Sequence, residues 1–390
     1  MNINSRTRLK LISVLSLAMI PAGGAFAVVD KFVPFAYVGT SSDSNTFRTS
    51  NNEEDETISH VGAGVQTDYK MSRQHLLLDV LLDRAIYDTF DELDHTKING
   101  TAAWKWGVGS HVGGDLSYRY KKELSSFNEQ FARQKDMRTN HAGNFDMGYR
   151  FHPDWQIQVG IQYSESSYQK RDRLDRSATS SSLEVVYKNT LNTRVGIQGA
   201  LSANNLNDSI VGGVSVDNDY EESTVSGVFY WQGSGKSSLE AKLGYTTLDY
   251  NELKDREYEG YTGRLTYHWE ATGKTKLDFS GWRETDSQAD EISSYTLEQG
   301  VSVKASWSAT RKIKVNGEVS YKKDDFKADN QLTGVPDRDD NTKKADIGIS
   351  WAPRKFVRLS AGFSREERDS SIDARNFTDD LINAKVHFRF

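Results

Sequence analysis

Along most of this chain, apolar and polar residues alternate one for one, in runs of about ten residues separated by polar or glycine-containing breaks. Val315, Gly317, Val319 and Tyr321 alternate with Lys314, Asn316, Glu318 and Ser320. Ala345, Ile347, Ile349 and Trp351 alternate with Lys344, Asp346, Gly348 and Ser350. Trp155, Ile157, Val159, Ile161 and Tyr163 do the same against Gln156, Gln158, Gly160 and Gln162. A period of two puts successive side chains on opposite faces of a strand, so each run has one apolar and one hydrated face. The pattern predicts strands over 32–40, 57–69, 74–87, 95–106, 110–120, 138–151, 154–167, 175–188, 192–203, 220–231, 236–249, 257–270, 274–284, 294–307, 311–322, 342–351, 356–366 and 377–390. That makes an even count of about eighteen, and about ten residues is the length that crosses a bilayer when a strand is tilted.

The breaks alternate as well. Short ones, such as Gly107-Val108-Gly109, His152-Pro153, Gly233-Ser234-Gly235, Thr272-Gly273, Ala309-Thr310 and Pro353-Arg354, carry tight-turn residues. Long ones, over 41–56, 121–137, 204–219, 285–293, 323–341 and 367–376, are rich in Asp, Asn, Glu and Ser. Short periplasmic turns and long extracellular loops are the signature of an all-β, antiparallel, up-and-down transmembrane barrel. Trp104, Trp106, Trp155, Trp231, Trp269, Trp307 and Trp351 lie at strand ends beside short turns, as a periplasmic aromatic girdle requires; Trp282 does not. Tyr118, Tyr120, Tyr163, Tyr245 and Tyr261 are expected to supply the opposite belt. The last strand alternates up to a terminal Phe390, which resembles the signal read by barrel-assembly machinery.

The N-terminus is different. Arg6, Arg8 and Lys10 precede an apolar run from Leu11 to Ile20, and Ala25-Phe26-Ala27 supplies a small-residue cleavage pattern. Residues 1–27 therefore read as a secretory signal peptide and 28–390 as a single barrel domain. No later segment approaches eighteen apolar residues in a row, and the mean hydropathy is −0.66, which excludes a helical membrane protein. A barrel stays polar on average because only alternate residues of each strand meet lipid. With Gly 30, Tyr 18, Phe 17, Trp 8 and only Pro 5, composition also leans toward sheet. There is no Cys to staple an exported domain, so inter-strand hydrogen bonds must do so. A net charge of −6 provides no nucleic-acid footprint.

Eighteen strands spaced ~4.8 Å apart and tilted ~40° enclose a backbone radius of roughly 18 Å, wide enough for a channel on the order of 10 Å unless something plugs it. The longest loops, 121–137 and 323–341, are the segments that could fold inward. If the apolar face is outside, the lumen is lined with charge. The expected permeant path carries Arg119, Arg150, Arg194, Arg264, Lys276, Lys304, Lys312, Lys314, Lys344, Arg358, Lys385 and Arg389, among acids such as Asp79, Asp115, Asp146, Glu184, Glu240, Asp278, Glu318 and Asp346. A basic wall would favour an anionic permeant, such as an acidic polysaccharide. The plainer alternative is a cross-strand ladder of ion pairs that stiffens the wall. There is no nucleophile elbow, no paired-histidine zinc motif and no metal-ligand spacing among the scattered histidines, so neither an enzyme nor a cofactor is expected.

Residues 72–127 resemble the EpsL-like outer-membrane barrels of exopolysaccharide loci, a group of β-barrel porins. The resemblance is carried by Ser72-Arg73-Gln74, Phe90 with Leu93-Asp94, Ala103-Trp104-Lys105-Trp106 and Leu116-Ser117-Tyr118. The opening loop Asp43-Ser44-Asn45-Thr46-Phe47-Arg48 is also similar, although the family more often has its Asp and Asn adjacent where Ser44 intervenes here. The resemblance implies secretion of an exopolysaccharide of capsule or biofilm through the outer membrane, with a periplasmic polysaccharide-export protein as partner. It brings no catalytic residues. A general or small-solute porin is the alternative that shares every barrel feature.

Overall fold

The computed structural model describes residues 32–390 apart from 129, 131, 190–192, 212–213, 253–256, 287–294 and 328–336. The strands in chain order are β1 Phe32–Asp43, β2 Glu56–Met71, β3 Gln74–Tyr87, β4 His95–Val108, β5 Val112–Leu124, β6 Met137–His152, β7 Trp155–Tyr168, β8 Arg176–Lys188, β9 Arg194–Leu206 and the short pair β10 Ser209–Val211 and β11 Val214–Val216. There follow β12 Tyr220–Ser234, β13 Ser237–Tyr250, β14 Tyr258–Thr272, β15 Thr275–Asp286, β16 Tyr295–Trp307, β17 Ile313–Lys327, β18 Arg338–Arg354, β19 Val357–Ser370 and β20 Phe377–Arg389. The long strands form one 18-stranded sheet, antiparallel throughout, and β20 closes on β1 from Arg389↔Phe35 to Leu381↔Asp43. Closure leaves no edge strand and satisfies the backbone within the sheet, which a lipid environment demands. The sequence expectation of eighteen strands is met. The β10–β11 hairpin is an addition, standing in the connection that the pattern left as a loop.

The strands of the barrel run from 12 to 17 residues, most of them longer than the alternation suggested. Most of the extra length lies at the long-loop end, where Asp43 still pairs with Glu56 and Asp324 with Asp340. Both faces are wet there, so apolar residues no longer mark one face, but the hydrogen-bond ladder continues.

A barrel has no central core. Apolar packing gathers instead in two clusters near the long-loop end. One joins Phe47, Ile58, Ala85, Tyr87, Leu93 and Phe127. The other joins Tyr220, Leu248, Tyr250 and Tyr295. The turns at this end repeat a device: a single 3-10 turn (Asp91–Leu93, Asp172–Leu174, Asp373–Arg375) followed by a side-chain oxygen that reaches back. Asp94 accepts from the Tyr87 N–H at 2.8 Å, Asp175 from Tyr168 at 2.6 Å, and Asn376 from Ser370 at 2.6 Å. Burial is the largest influence on the Asp175 carboxyl and pushes it above its ordinary range, against the Tyr168 N–H bond, which lowers it. Each turn is also tied to the adjacent hairpin: Asp88 N–H donates to Thr57 O, Gln169 N–H to Met137 O and Ser371 N–H to Asp339 O.

Candidate channel and its constriction

In a closed sheet of period two, one set of alternating residues faces out and the other in. The outer set is identified by its exposure. Val38, Val61, Leu78, Leu116, Ile161, Leu183, Ile197, Leu243, Leu265, Val301, Val319, Ile347 and Ile382 are large, apolar and more than a third exposed. Near the long-loop end, Thr285 Oγ1 on β15 donates to Glu222 on β12 at 3.0 Å, past the two strands that separate them.

Tryptophan follows the same division. Trp104, Trp155, Trp231, Trp269, Trp307 and Trp351 are exposed on the outer face near short turns, and Trp106 shares that face half-buried. Trp282 points the other way. Its strand register puts it opposite Arg264, whose guanidinium carbon lies 5.1 Å from the ring centre, and its indole N–H donates to Glu298 at 2.6 Å. The odd position noted in the sequence is thus a lumenal side chain. Tyr118, Tyr163, Tyr245 and Tyr261 are exposed on the outer face, with hydroxyls of the first three bonded to His141, Glu165 and Glu259.

Of the expected lumenal cations, Arg119 on β5, Arg150 on β6, Arg194 on β9, Arg264 on β14, Lys276 on β15, Lys304 on β16, Lys314 on β17, Lys344 on β18, Arg358 on β19 and Lys385 and Arg389 on β20 occupy inward positions of the ladder. Lys312 does not belong to the wall. β17 begins one residue later, and Lys312 lies in the preceding short turn with Nζ donating to Pro353 O at 3.1 Å. Many of the others are paired. Arg264 meets Glu284 through two bonds of 3.0 and 2.5 Å; Lys276 meets Glu270 at 2.5 Å, Lys304 meets Glu318 at 3.2 Å and Lys344 meets Glu366 at 3.5 Å. These form the stiffening ladder. Among the described residues, Arg119, Arg150, Lys314 and Arg358 have no ion-pair partner, Arg194 lies over the Tyr230 ring at 4.4 Å, Lys385 lies over the Tyr37 ring at 4.1 Å, and Arg389 donates to Gln66 at 3.0 Å.

The described residues of the connection from β5 to β6 (125–128, 130 and 132–136) turn into the barrel. Ser125 N–H to Asp136 O at 2.8 Å closes its base, and Arg171 clamps it there, with Nε 2.8 Å from Asp136 and Nη2 2.5 Å from the Ser125 hydroxyl. Phe127 packs edge-on against Phe47, ring centres 4.9 Å apart, and Arg133 lies over the same Phe47 ring and pairs with Glu54. The tip then reaches β19, six strands away around the ring. Asn128 Nδ2 donates to Glu366 at 3.2 Å, while its backbone oxygen accepts from Arg368 and Arg375, each at 3.1 Å. The other loop expected to fold inward has its central residues, 328–336, outside the described residues.

Beneath the Asn128 tip lies a cavity of about 340 Å3 whose lining includes Trp282, Lys322, Asp324, Arg338, Asp340 and Arg368. Lys322 bridges Glu298 at 3.0 Å and Asp324 at 2.9 Å, and Arg338 lies 3.1 Å from Asp340 and over the Phe326 ring at 3.5 Å. Most of these residues lay beyond the strand ends read from alternation, so sequence reasoning missed them. The resemblance-bearing loop also gains a role. Asn45 is fully buried, donating to Thr49 O at 2.8 Å and Thr378 O at 3.1 Å, and Arg48 bridges Asp43 and Asp379, each at 2.9 Å. It knots the β1–β20 seam and presents Phe47 to the inserted loop.

With this geometry the chain compares with known proteins as follows. A family model described as "Putative beta-barrel porin 2" matches residues 232–390. The crystal structure of the outer membrane protein OpdK from Pseudomonas aeruginosa superposes with a TM-score of 0.51 at 11% identity, covering 93% of this chain and 100% of that one. OccK2 (OpdF) from the same organism gives 0.50 at 11% identity, covering 93% and 98%. The chain has the fold of a porin barrel. No curated protein matches it in sequence. At this level of identity the two structures share the fold alone with this chain.

Proposed function

We propose that this barrel sits in the outer membrane of a Gram-negative bacterium and passes small polar solutes, anions by preference. The carrying observation is the inserted loop: its Asn128 tip is pinned to the β19 wall, so the lumen is narrowed to a charged passage rather than left as a wide bore. The anion preference rests on a stretch of wall where Lys314, Arg358, Lys385 and Arg389 face in beside Ser350 on β18, Asn383 on β20, Phe35 and Tyr37 on β1 and Gln66 on β2; the inward acids of β17 and β18 lie farther along, Glu318 already paired with Lys304 and Asp346 opposite it. The nearest acids on β3 are already engaged, Asp79 by Gln66 at 2.8 Å and Asp83 by His60 at 3.4 Å. An uncompensated basic wall in a confined channel raises local anion concentration.

In this reading residues 1–27 address the chain for export and are removed, the exposed Phe390 is the assembly signal, and no catalytic step is involved. OpdK is described as an outer membrane protein, and the shared fold supports the same location here. Secretion of an exopolysaccharide with a periplasmic export partner rests on the resemblance of residues 72–127 and of the loop 43–48, and a loop pinned across the lumen speaks against a polymer-wide bore. The test is reconstitution in planar bilayers under a salt gradient. Discrete conductance with an anion-selective reversal potential is expected, moving toward cation selectivity in Arg358→Gln/Lys385→Gln. A barrel that never conducts without a partner protein would sink the small-solute reading.

A further inference from the structure

Three successive short turns on one side of the barrel repeat a spacing. Trp231 is followed five residues later by Lys236, Trp269 by Lys274 and Trp307 by Lys312. Each tryptophan is outward and between 40% and 51% exposed, and each lysine is an exposed turn or turn-flanking residue. The turns are tied in series. Glu270 N–H donates to Lys236 O at 2.7 Å, Ser308 N–H to Lys274 O at 2.8 Å and Ala352 N–H to Lys312 O at 2.8 Å. Those donors directly follow Trp269, Trp307 and Trp351, so the backbone of each lysine is held beside the next hairpin's tryptophan. Tryptophan and lysine therefore alternate along an arc of the rim. On the far side, the turns Gly109-Ser110-His111 and Pro153-Asp154 have neither lysine nor arginine, and Ser72-Arg73 has a single arginine. Glu270, the carboxylate within this arc, is occupied by Lys276 at 2.5 Å.

An indole at the level of the headgroups and an ammonium a few ångströms nearer water both donate hydrogen bonds, and a phosphodiester is the acceptor that lies between those levels. Lys312 spends one hydrogen on Pro353 O and keeps two. We propose that this arc is a binding row for the headgroups of anionic phospholipids in the leaflet at the short-turn end. The inference rests on the membrane-barrel reading above. It adds lipid selectivity on one side of the barrel, which an aromatic girdle alone would not confer.

The test uses the full barrel in vesicles of mixed phosphatidylglycerol and phosphatidylcholine, with bromine on the acyl chains of one lipid or the other, and reads quenching of tryptophan fluorescence. Wild type should be quenched more when the bromine is on phosphatidylglycerol. Each lysine contributes up to about fivefold to that preference, and Lys236→Gln/Lys274→Gln/Lys312→Gln should abolish most of it. These are exposed turn side chains, so the variant's folding is verified by its heat-modifiable mobility on gels. Equal quenching by the two lipids in wild type overturns the proposal, as does a preference that survives in the triple variant. A barrel that does not float with vesicles at all overturns the membrane reading itself, which separates the two failures.

Discussion

The side chains of Asn128 and Glu366 meet at 3.2 Å although 238 residues separate them in the chain. The contact joins the tip of an inserted loop to the opposite wall, and it turns an open cylinder into a constricted one. Its strength comes from Arg368 and Arg375, both buried, which hold the Asn128 carbonyl from the other side.

Releasing that hold should open the pore. Arg368→Ala/Arg375→Ala removes both donors to the Asn128 oxygen, and single-channel conductance should rise several-fold with larger current noise. Unchanged conductance would mean that the Phe127–Phe47 packing keeps the loop in place unaided.

The base of the loop depends on Arg171 and Asp136, whose side chains are 5% and 0% exposed. Leaving one buried charge without its partner costs about 3 kcal/mol or more. Asp136→Ala should therefore lower the urea midpoint of unfolding markedly, measured by tryptophan fluorescence in vesicles. A shift no larger than that of an exposed pair would refute the clamp.

The ladder pairs should behave differently. Lys304 and Glu318 are 57% and 35% exposed to the water-filled lumen, so Glu318→Gln should change stability by less than about 1 kcal/mol. It should nonetheless raise anion selectivity, because one lumenal negative charge is gone. Reversal potentials and unfolding curves on the same variant separate the two effects.

Two glycines on β2 lie under aromatic rings of β1. A Cβ on Gly62 would first meet the Tyr37 side chain, at 2.4 Å, whereas a Cβ on Gly64 would meet the Val80 carbonyl at 2.2 Å as well as the Phe35 ring at 2.5 Å. Overpacking of this kind costs about 1–3 kcal/mol. Gly62→Ala should reduce the folded fraction and recover it with Tyr37→Ala, since a side chain can be removed. Gly64→Ala should stay impaired beside Phe35→Ala, because the Val80 backbone remains. Gel mobility without heating reports both.

Some of this is legible in the sequence alone. Lys314, Asn316, Glu318 and Ser320 share a face because a strand's repeat is two residues, and that holds whatever lies next to it. The same local rule placed eleven of the twelve expected cations on inward positions of their strands, and only Lys312 fell instead in a short turn. It could not say which cations were neutralised, since Lys344 and Glu366 are brought together by strand pairing and not by spacing. Nor could it find Arg338, Asp340 or Arg368, which lie where both faces of a strand are polar and alternation carries no information.

By itself the sequence determined the number of strands in the barrel, which face of each points outward, and which end bears the short turns, because each follows from interactions between residues close in the chain. Only the tertiary structure decided that the described residues of the β5–β6 connection enter the lumen, that Asn45 knots the seam, and that Lys314 and Arg358 are left without acids. Those outcomes depend on chords across a closed ring, between residues that nothing in their own neighbourhood commits to meet.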